Sequence, residues 1–216
     1  MSELIVLWGA GGHARVVADI ISLAARYEIA GFIDDIGPER MGQSFCGAQV
    51  LGGQEQLPTL RSAGVSVALA AIGDCTARLR AATILLHNGF ELATLIHPRA
   101  TVAADVKVLG GTVIAAGAVV NPGTTIGQCV IVNTCASVDH DCRLADSAHV
   151  SPGAHLGGNV EIGQGTWIGI GAVICDGIKI GAGTIVGAGA VVVNDLPDGI
   201  VAMGVPARVI RMVSAK

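Results

Sequence analysis

The sequence predicts an α/β domain followed by a parallel β-helix, and three observations predict it. Every sixth residue from Val102 to Val192 is aliphatic without a gap (Val102, Val108, Ile114, Val120, Ile126 and on to Val192), a period that neither a helix nor an alternating strand produces. Two residues before each of these positions the side chain is mostly small, as at Ala118, Thr124, Ala136, Cys142, Ala148 and Ala154. Near the start, a glycine cluster separates an apolar run from an amphipathic stretch.

The first domain, residues 1–97, reads as Rossmann-like. Leu4 to Trp8 is a short strand ending at Gly9-Ala10-Gly11-Gly12-His13-Ala14, Arg15 to Arg26 follows as a helix, and Ile29 to Ile33 is a second strand ending in Asp34-Asp35. The cluster fits G-x-G-x-x-A with acidic residues after the next strand, a context in which backbone amides hold phosphate oxygens and a carboxylate binds a ribose or base. A third strand, Val67 to Ile72, ends at Gly73-Asp74 and leads into a helix through His87. The expected substrate-facing set is therefore Gly11, Gly12, His13 and Arg15, then Asp34 and Asp35, then Gly73 and Asp74. About three βα units are too few for two mononucleotide halves, so a nucleotide-linked small molecule fits better than a dinucleotide.

The second domain, residues 98–216, is the solenoid. One large aliphatic residue per flat side fills its axis, and the small residue fits the corner beside it. Glycine often follows the aliphatic residue, as at Gly127, Gly157, Gly163, Gly169, Gly181 and Gly187, where a tight turn would use its open φ/ψ space.

Composition narrows the function classes. The 216 residues are 51% hydrophobic but only 3% aromatic, with 31 glycines, which describes a repetitive β structure rather than a membrane protein. No apolar run spans a bilayer and no basic leader opens the chain, so a cytoplasmic location is expected. A net charge of −4 without Lys/Arg clusters argues against nucleic acid. The six cysteines form no CxxC pair, and no metal is expected.

His140 lies at a corner, two residues past the interior Val138. Three hexapeptides make one coil, so Gly158 stacks on His140 at a spacing of about 4.8 Å. An imidazole beside a glycine amide supplies a base and an oxyanion donor for acyl transfer, and Asp139 or Asp141 could orient the ring. A surface corner histidine without chemistry is the bland alternative. His149 follows half a coil later, so the two histidines share a site only if a neighbouring subunit supplies one, as a trimer of prisms would do. Trp167 stacks one coil from His149 and suits such an interface. Cys142 belongs to the buried small-residue column and is expected to be inert.

These motifs together, GAGGHARVVADI, FIDD, AIGD, IHPRA, VDHDC, SAHVSPGAHLGGN and GVPARVI, resemble the bacterial sialic acid O-acetyltransferase and nucleotide-amino-sugar N-acetyltransferase family over nearly the whole chain. The resemblance implies a left-handed β-helix, a homotrimer with inter-subunit active sites, acetyl-CoA as co-substrate and a nucleotide-linked amino sugar held by the first domain. It makes His140 the general base and His149 a cofactor contact. Gly158 would offer its amide to the thioester carbonyl, Asn133 falls on an asparagine near the base, and Ile170 and Ala188 fall on backbone contacts to the pantetheine arm. Many members carry Glu after the catalytic His, where this chain has Asp141. Arg208 in the closing motif is available to cofactor phosphates. O-acetylation of sialic acid is the nearest alternative, and a metal-dependent β-helical hydratase a remote one.

Overall fold

The computed structural model describes residues 2–213 and divides into two compact units, Met1–Pro98 and Arg99–Lys216. The first unit contains β1 (Glu3–Trp8), α1 (Gly12–Ala24), β2 (Tyr27–Ile33), β3 (Ser44–Phe45), β4 (Ala48–Gly52), α2 (Leu57–Ser62), β5 (Val67–Ala70), α3 (Cys75–His87) and β6 (Glu91–Leu92). These strands form one sheet in the order β3-β4-β2-β1-β5-β6. It is parallel except for the β3–β4 hairpin. Strand β1 is central, and its Ile5, Val6 and Leu7 are fully buried, which is why it reads as an unbroken apolar run rather than an alternating one. The order reverses between β1 and β5, so the glycine loop after β1 and the loop after β5 border the crevice where such sheets bind ligands.

The sheet is larger than three βα units, because Ser44–Gly52 adds a hairpin and Glu91–Leu92 a final strand. Cys46 and Gly47 both have positive φ, 46° and 84°, the conformation of a type I′ turn. Cysteine in its first central position gives no Asn-Gly or Asp-Gly signal. Helix α1 also begins earlier than Arg15, at Gly12, and ends at a left-handed Ala25.

The second unit is a three-sided solenoid of two-residue parallel strands. The first side is Thr101–Val102, Val119–Val120, Ser137–Val138, His155–Leu156, Val173–Ile174 and Val191–Val192; the second runs from Lys107–Val108 to Lys179–Ile180; the third runs from Val113–Ile114 to Ile185–Val186. Within each side, neighbouring strands pair in register eighteen residues apart, as Ser137↔His155, Arg143↔Glu161 and His149↔Trp167 do. Interior aliphatic residues such as Val138, Leu156 and Ile174 are at most 2% exposed. Each contributes about 1.5–3 kcal/mol by burial. The antiparallel pair Ile200–Gly204 and Ala207–Met212 extends the third side beyond Ile185–Val186 and covers its open edge.

The corner glycines work differently from expectation. The left-handed residue falls three positions before each aliphatic one, at every sixth residue from Gly111 to Gly189, including the non-glycine Cys129, Cys135, Asp141, Ser147 and Asn159. The glycine after the aliphatic residue has no such φ; at Gly163, for example, a Cβ would collide with the backbone of Gly181 and Ala182 in the next coil. Close approach of coils selects those glycines, and φ selects the other column.

Candidate active site

The corner between the first and second sides holds His140, the candidate base. His140 Nδ1 lies 2.9 Å from Asp141 Oδ2, so this nitrogen donates and Nε2 keeps its lone pair. The left-handed backbone of Asp141, φ 58°, accompanies a side chain folded back onto the preceding imidazole. Asp139 Oδ1 accepts from His140 N at 2.8 Å and from Asn121 Nδ2 at 2.8 Å. The Asn121 bond and then the His140 amide hold the Asp139 carboxyl below its usual range. Both the Asp141 hydrogen bond and the nearby charges of Asp139, Asp141 and Asp176 raise the His140 pKa, against a smaller opposing effect of desolvation.

One coil on, Gly158 makes room for the ring. A Cβ there would lie 2.6 Å from both Cε1 and Nε2 of His140. Its amide, however, is not free as the sequence suggested. Gly158 N donates to Asp176 Oδ1 at 2.7 Å, because a carboxylate one further coil along reaches back to the corner amide. The same device caps Gln128 N with Asp146 and Ala182 N with Asp198.

Asn133 Nδ2 lies 3.2 Å from His149 Nε2, so within one chain Asn133 accompanies His149. That placement follows from the register, since His149 and Asn133 both belong to the third side and the corner that leaves it. His149 stacks on Trp167 with ring centroids 5.0 Å apart and an interplanar angle of 22°, and Trp167 Nε1 donates to Ser151 Oγ at 2.8 Å. Ile170 and Ala188 stack at the corner between the third and first sides, where no described residue accepts from their amides. Arg208 sits in the terminal hairpin, and its Nη1 donates to Ala207 O. His149 lies on the third side and His155 on the first, where His155 Nδ1 meets Ser137 Oγ at 2.8 Å. Among the described residues no three His, Cys, Asp or Glu side chains are grouped to hold a metal.

Cys142 is fully buried and donates to Gly157 O at 3.1 Å; desolvation pushes its thiol pKa up. A depression of about 1080 Å³ runs along the second side of the solenoid between Lys107 and Lys179 and contains none of the predicted site residues.

In the first unit, a cavity of about 410 Å³ opens at the carboxyl ends of β1, β2 and β5, between Trp8, Asp34, Asp35, Ile72 and Arg80. Gly9 is the glycine this turn requires, with φ 116° and only 2.8 Å between a Cβ and Ala71 O. At Gly11, Gly12 and Gly73 a Cβ would meet nothing. The N-cap of α1, Gly11, offers no side chain to the first-turn amides. Asp34 Oδ2 pairs with Arg40 Nη1 at 2.9 Å and its Oδ1 accepts from Ile36 N; Asp35 accepts from Trp8 Nε1 and Gln54 N, each at 2.8 Å. Both carboxylates thus shape the loop that they were expected to present to a ligand. Asp74 likewise caps α3 by accepting from Ala77 N at 2.9 Å. Arg15 and Arg40 both lie over the Phe45 ring, 4.7 and 5.2 Å from its centroid. His13 is half-buried, and desolvation of its ring together with the charge of Arg78 lowers its pKa to about 4. Arg78, overlooked in the sequence, is 1% exposed and fastens the loop after β5 through Ile72 O and Gly73 O.

Residues 4–85 match the PglD N-terminal domain, and residues 159–194 match the bacterial transferase hexapeptide (six repeats). No curated protein sequence matches the chain. Among solved structures, GDP-perosamine N-acetyltransferase from Caulobacter crescentus, in complex with CoA and GDP-perosamine, is 39% identical, with 95% of this chain and 96% of that one covered and a TM-score of 0.92. The acetyltransferase domain of PglB from Neisseria gonorrhoeae is 40% identical over 97% of this chain and 100% of that one, with a TM-score of 0.91. WeeI from Acinetobacter baumannii is 25% identical over 97% and 100%, with a TM-score of 0.82. An α/β unit ahead of a hexapeptide solenoid, the VDHDC corner and these similarities along nearly the full chain lead to one assignment: the chain belongs to the left-handed β-helix acetyltransferase family of the sialic acid O-acetyltransferases and nucleotide-amino-sugar N-acetyltransferases.

Proposed function

We propose that this enzyme moves acetyl from acetyl-CoA to the amine of a nucleotide-linked amino sugar, with His140 as general base. The observation that carries this reading is the imidazole held by Asp141 through Nδ1, with Nε2 left to accept a proton. The amine nitrogen attacks the thioester carbonyl carbon while Nε2 takes its proton. The tetrahedral intermediate collapses, the C–S bond breaks, and the proton returns to the departing thiolate, giving an amide and CoA. The similar Caulobacter enzyme is named for N-acetyl transfer and holds CoA and GDP-perosamine, and the Neisseria domain binds acetyl coenzyme A.

The pantetheine arm is assigned to the amides of Ile170 and Ala188, whose corner leaves them open to an external acceptor, with the His149–Trp167 stack and Asn133 beside it and Arg208 for the phosphates. These groups lie on the third side and its following corner, whereas His140 lies at the corner after the first. A neighbouring copy in a trimer would therefore complete each site. The nucleotide is assigned to the crevice of the first unit, whose cavity Asp34 and Asp35 line, and its phosphates to Gly11, Gly12, His13, Arg15 and Gly73, which lie outside the lining of that cavity. Among the described residues no helix is long and apolar enough to cross a membrane. The use of acetyl-CoA favours a cytoplasmic enzyme.

The test is acetyl transfer from labelled acetyl-CoA to GDP-, UDP- and dTDP-linked 4-amino sugars, followed by hydroxylamine treatment. The reading expects a hydroxylamine-stable amide, formed about two to four orders of magnitude more slowly by His140→Ala. A hydroxylamine-labile ester, or near-normal turnover by folded His140→Ala, would contradict it.

A further inference from the structure

Two adjacent glycines at one corner each face a charged or titratable group from another coil. A Cβ on Gly157 would collide with the Asp176 carboxylate, and a Cβ on Gly158 would collide with the His140 ring. The corner is thus narrowed from both sides, with Asp176 Oδ1 gripping Gly158 N at 2.7 Å on the next coil and the imidazole lying over Gly158 from the previous one. Asp capping of a corner amide occurs elsewhere, at Gln128 by Asp146 and at Ala182 by Asp198, but neither of those corners carries a histidine.

Building on the assignment of His140 as base, we propose that Asp176 is a positioning residue of the acyl-transfer site: by holding the Gly158 amide it fixes the floor under the imidazole, and it completes a group of three carboxylates around the base. Asp139 and Asp141 belong to the same corner as His140, and Asp176 alone reaches it from another coil. No cation among the described residues acts on the ring. The arrangement also suits the acceptor class, because an amino sugar that arrives as its ammonium is drawn to a negatively charged corner, gives up that proton to solvent, and as the free amine loses its second proton to His140 during attack, whereas a neutral hydroxyl gains nothing from that field.

A purely structural cap and a positioning residue differ in what their removal does to the pH profile. A neighbouring carboxylate favours the imidazolium, so neutralising it lowers the pH at which His140 becomes a base. Asp176→Asn keeps an oxygen acceptor for Gly158 and removes the charge. The acidic limb of kcat/KM for the sugar nucleotide should move to lower pH, with the plateau reduced roughly three- to tenfold by the weaker base and the acetyl-CoA KM unchanged. Asp176→Ser, a shorter neutral acceptor, should move the limb the same way. Asp146→Asn, which makes the same change in the cap of Gln128 at a corner without a histidine, should leave the limb where it is. An unmoved limb in folded Asp176→Asn or Asp176→Ser, or an equal move in Asp146→Asn, would overturn the role of Asp176. If His140→Ala is inactive in the same assays while the limb stays fixed, the base assignment survives and only this inference fails; if His140→Ala is fully active, the base assignment itself is wrong.

Discussion

His13, in the first turn of α1, and His140, at a solenoid corner, both belong to motifs that the sequence marks as functional, yet their surroundings drive them in opposite directions. His13 is half-buried at the start of α1, near the cationic Arg78, and its pKa falls to about 4. His140 is exposed, bonded to Asp141 and close to two further carboxylates, and its pKa rises. The same ring is thereby fixed as neutral in one place and made a stronger base in the other. The second environment suits the proton-transfer role proposed for His140, while the first would offer a ligand only a neutral imidazole at the start of α1.

The largest effect that could break this contrast is expected at Gly158. Since a Cβ there would occupy the place of the imidazole edge, Gly158→Ala should displace the ring and lower kcat by about a hundredfold, the scale associated with misplacing a catalytic group by about 1 Å. Calorimetric affinity for CoA should change little. Full activity in the alanine variant would mean that the ring position over Gly158 is irrelevant to turnover.

A second expectation concerns stability and sharpens the His13 side. Its folded pKa of about 4 lies below the ordinary 6.5, so between these values the unfolded chain binds more protons than the folded one. The neutral His13 is therefore tolerated at neutral pH, and stability is lost as pH falls from 6.5 towards 4. The full contribution is at most roughly 3 kcal/mol for a shift of this size. Thermal melts should show His13→Gln losing less stability than the wild type across that interval. Parallel curves would place the acid sensitivity elsewhere.

The smallest effect is expected at Cys142, beside His140 in sequence but facing the interior. Its raised thiol pKa and complete burial argue against an acyl-enzyme route. Cys142→Ala should keep turnover within about threefold and lose about 1 kcal/mol of stability with the Sγ packing and its hydrogen bond to Gly157 O. Intact-mass measurement after exposure to acetyl-CoA alone should find no acetyl adduct on the wild-type protein. An adduct at Cys142 would replace direct transfer by a covalent mechanism.

The solenoid was legible because a single period fixes which side chains enter the axis and which residues stack eighteen positions on, and that arithmetic alone brings Gly158 to His140. It does not reveal which corner amide is already bonded. Asp176 escaped notice because its grip on Gly158 depends on side-chain reach from the neighbouring coil rather than on the repeat. The Asp141 contact depends on a left-handed backbone at a non-glycine residue, and the meeting of Asn133 with His149 on a spacing of sixteen rather than eighteen. In the first unit the glycine loop and the acidic pair were visible as a motif. Their internal bonds to Arg40, Trp8 and Gln54 were not, since these join segments that only the folded sheet brings together.

The most direct test of His140 as the base is to follow its ring by NMR over the pH range in which kcat/KM is measured. The account predicts that the acidic limb of kcat/KM coincides with the His140 titration, that this titration lies above 6.5, and that the limb disappears from whatever activity His140→Ala retains. A limb that tracks another group, or a His140 ring that titrates below its ordinary value, would contradict it.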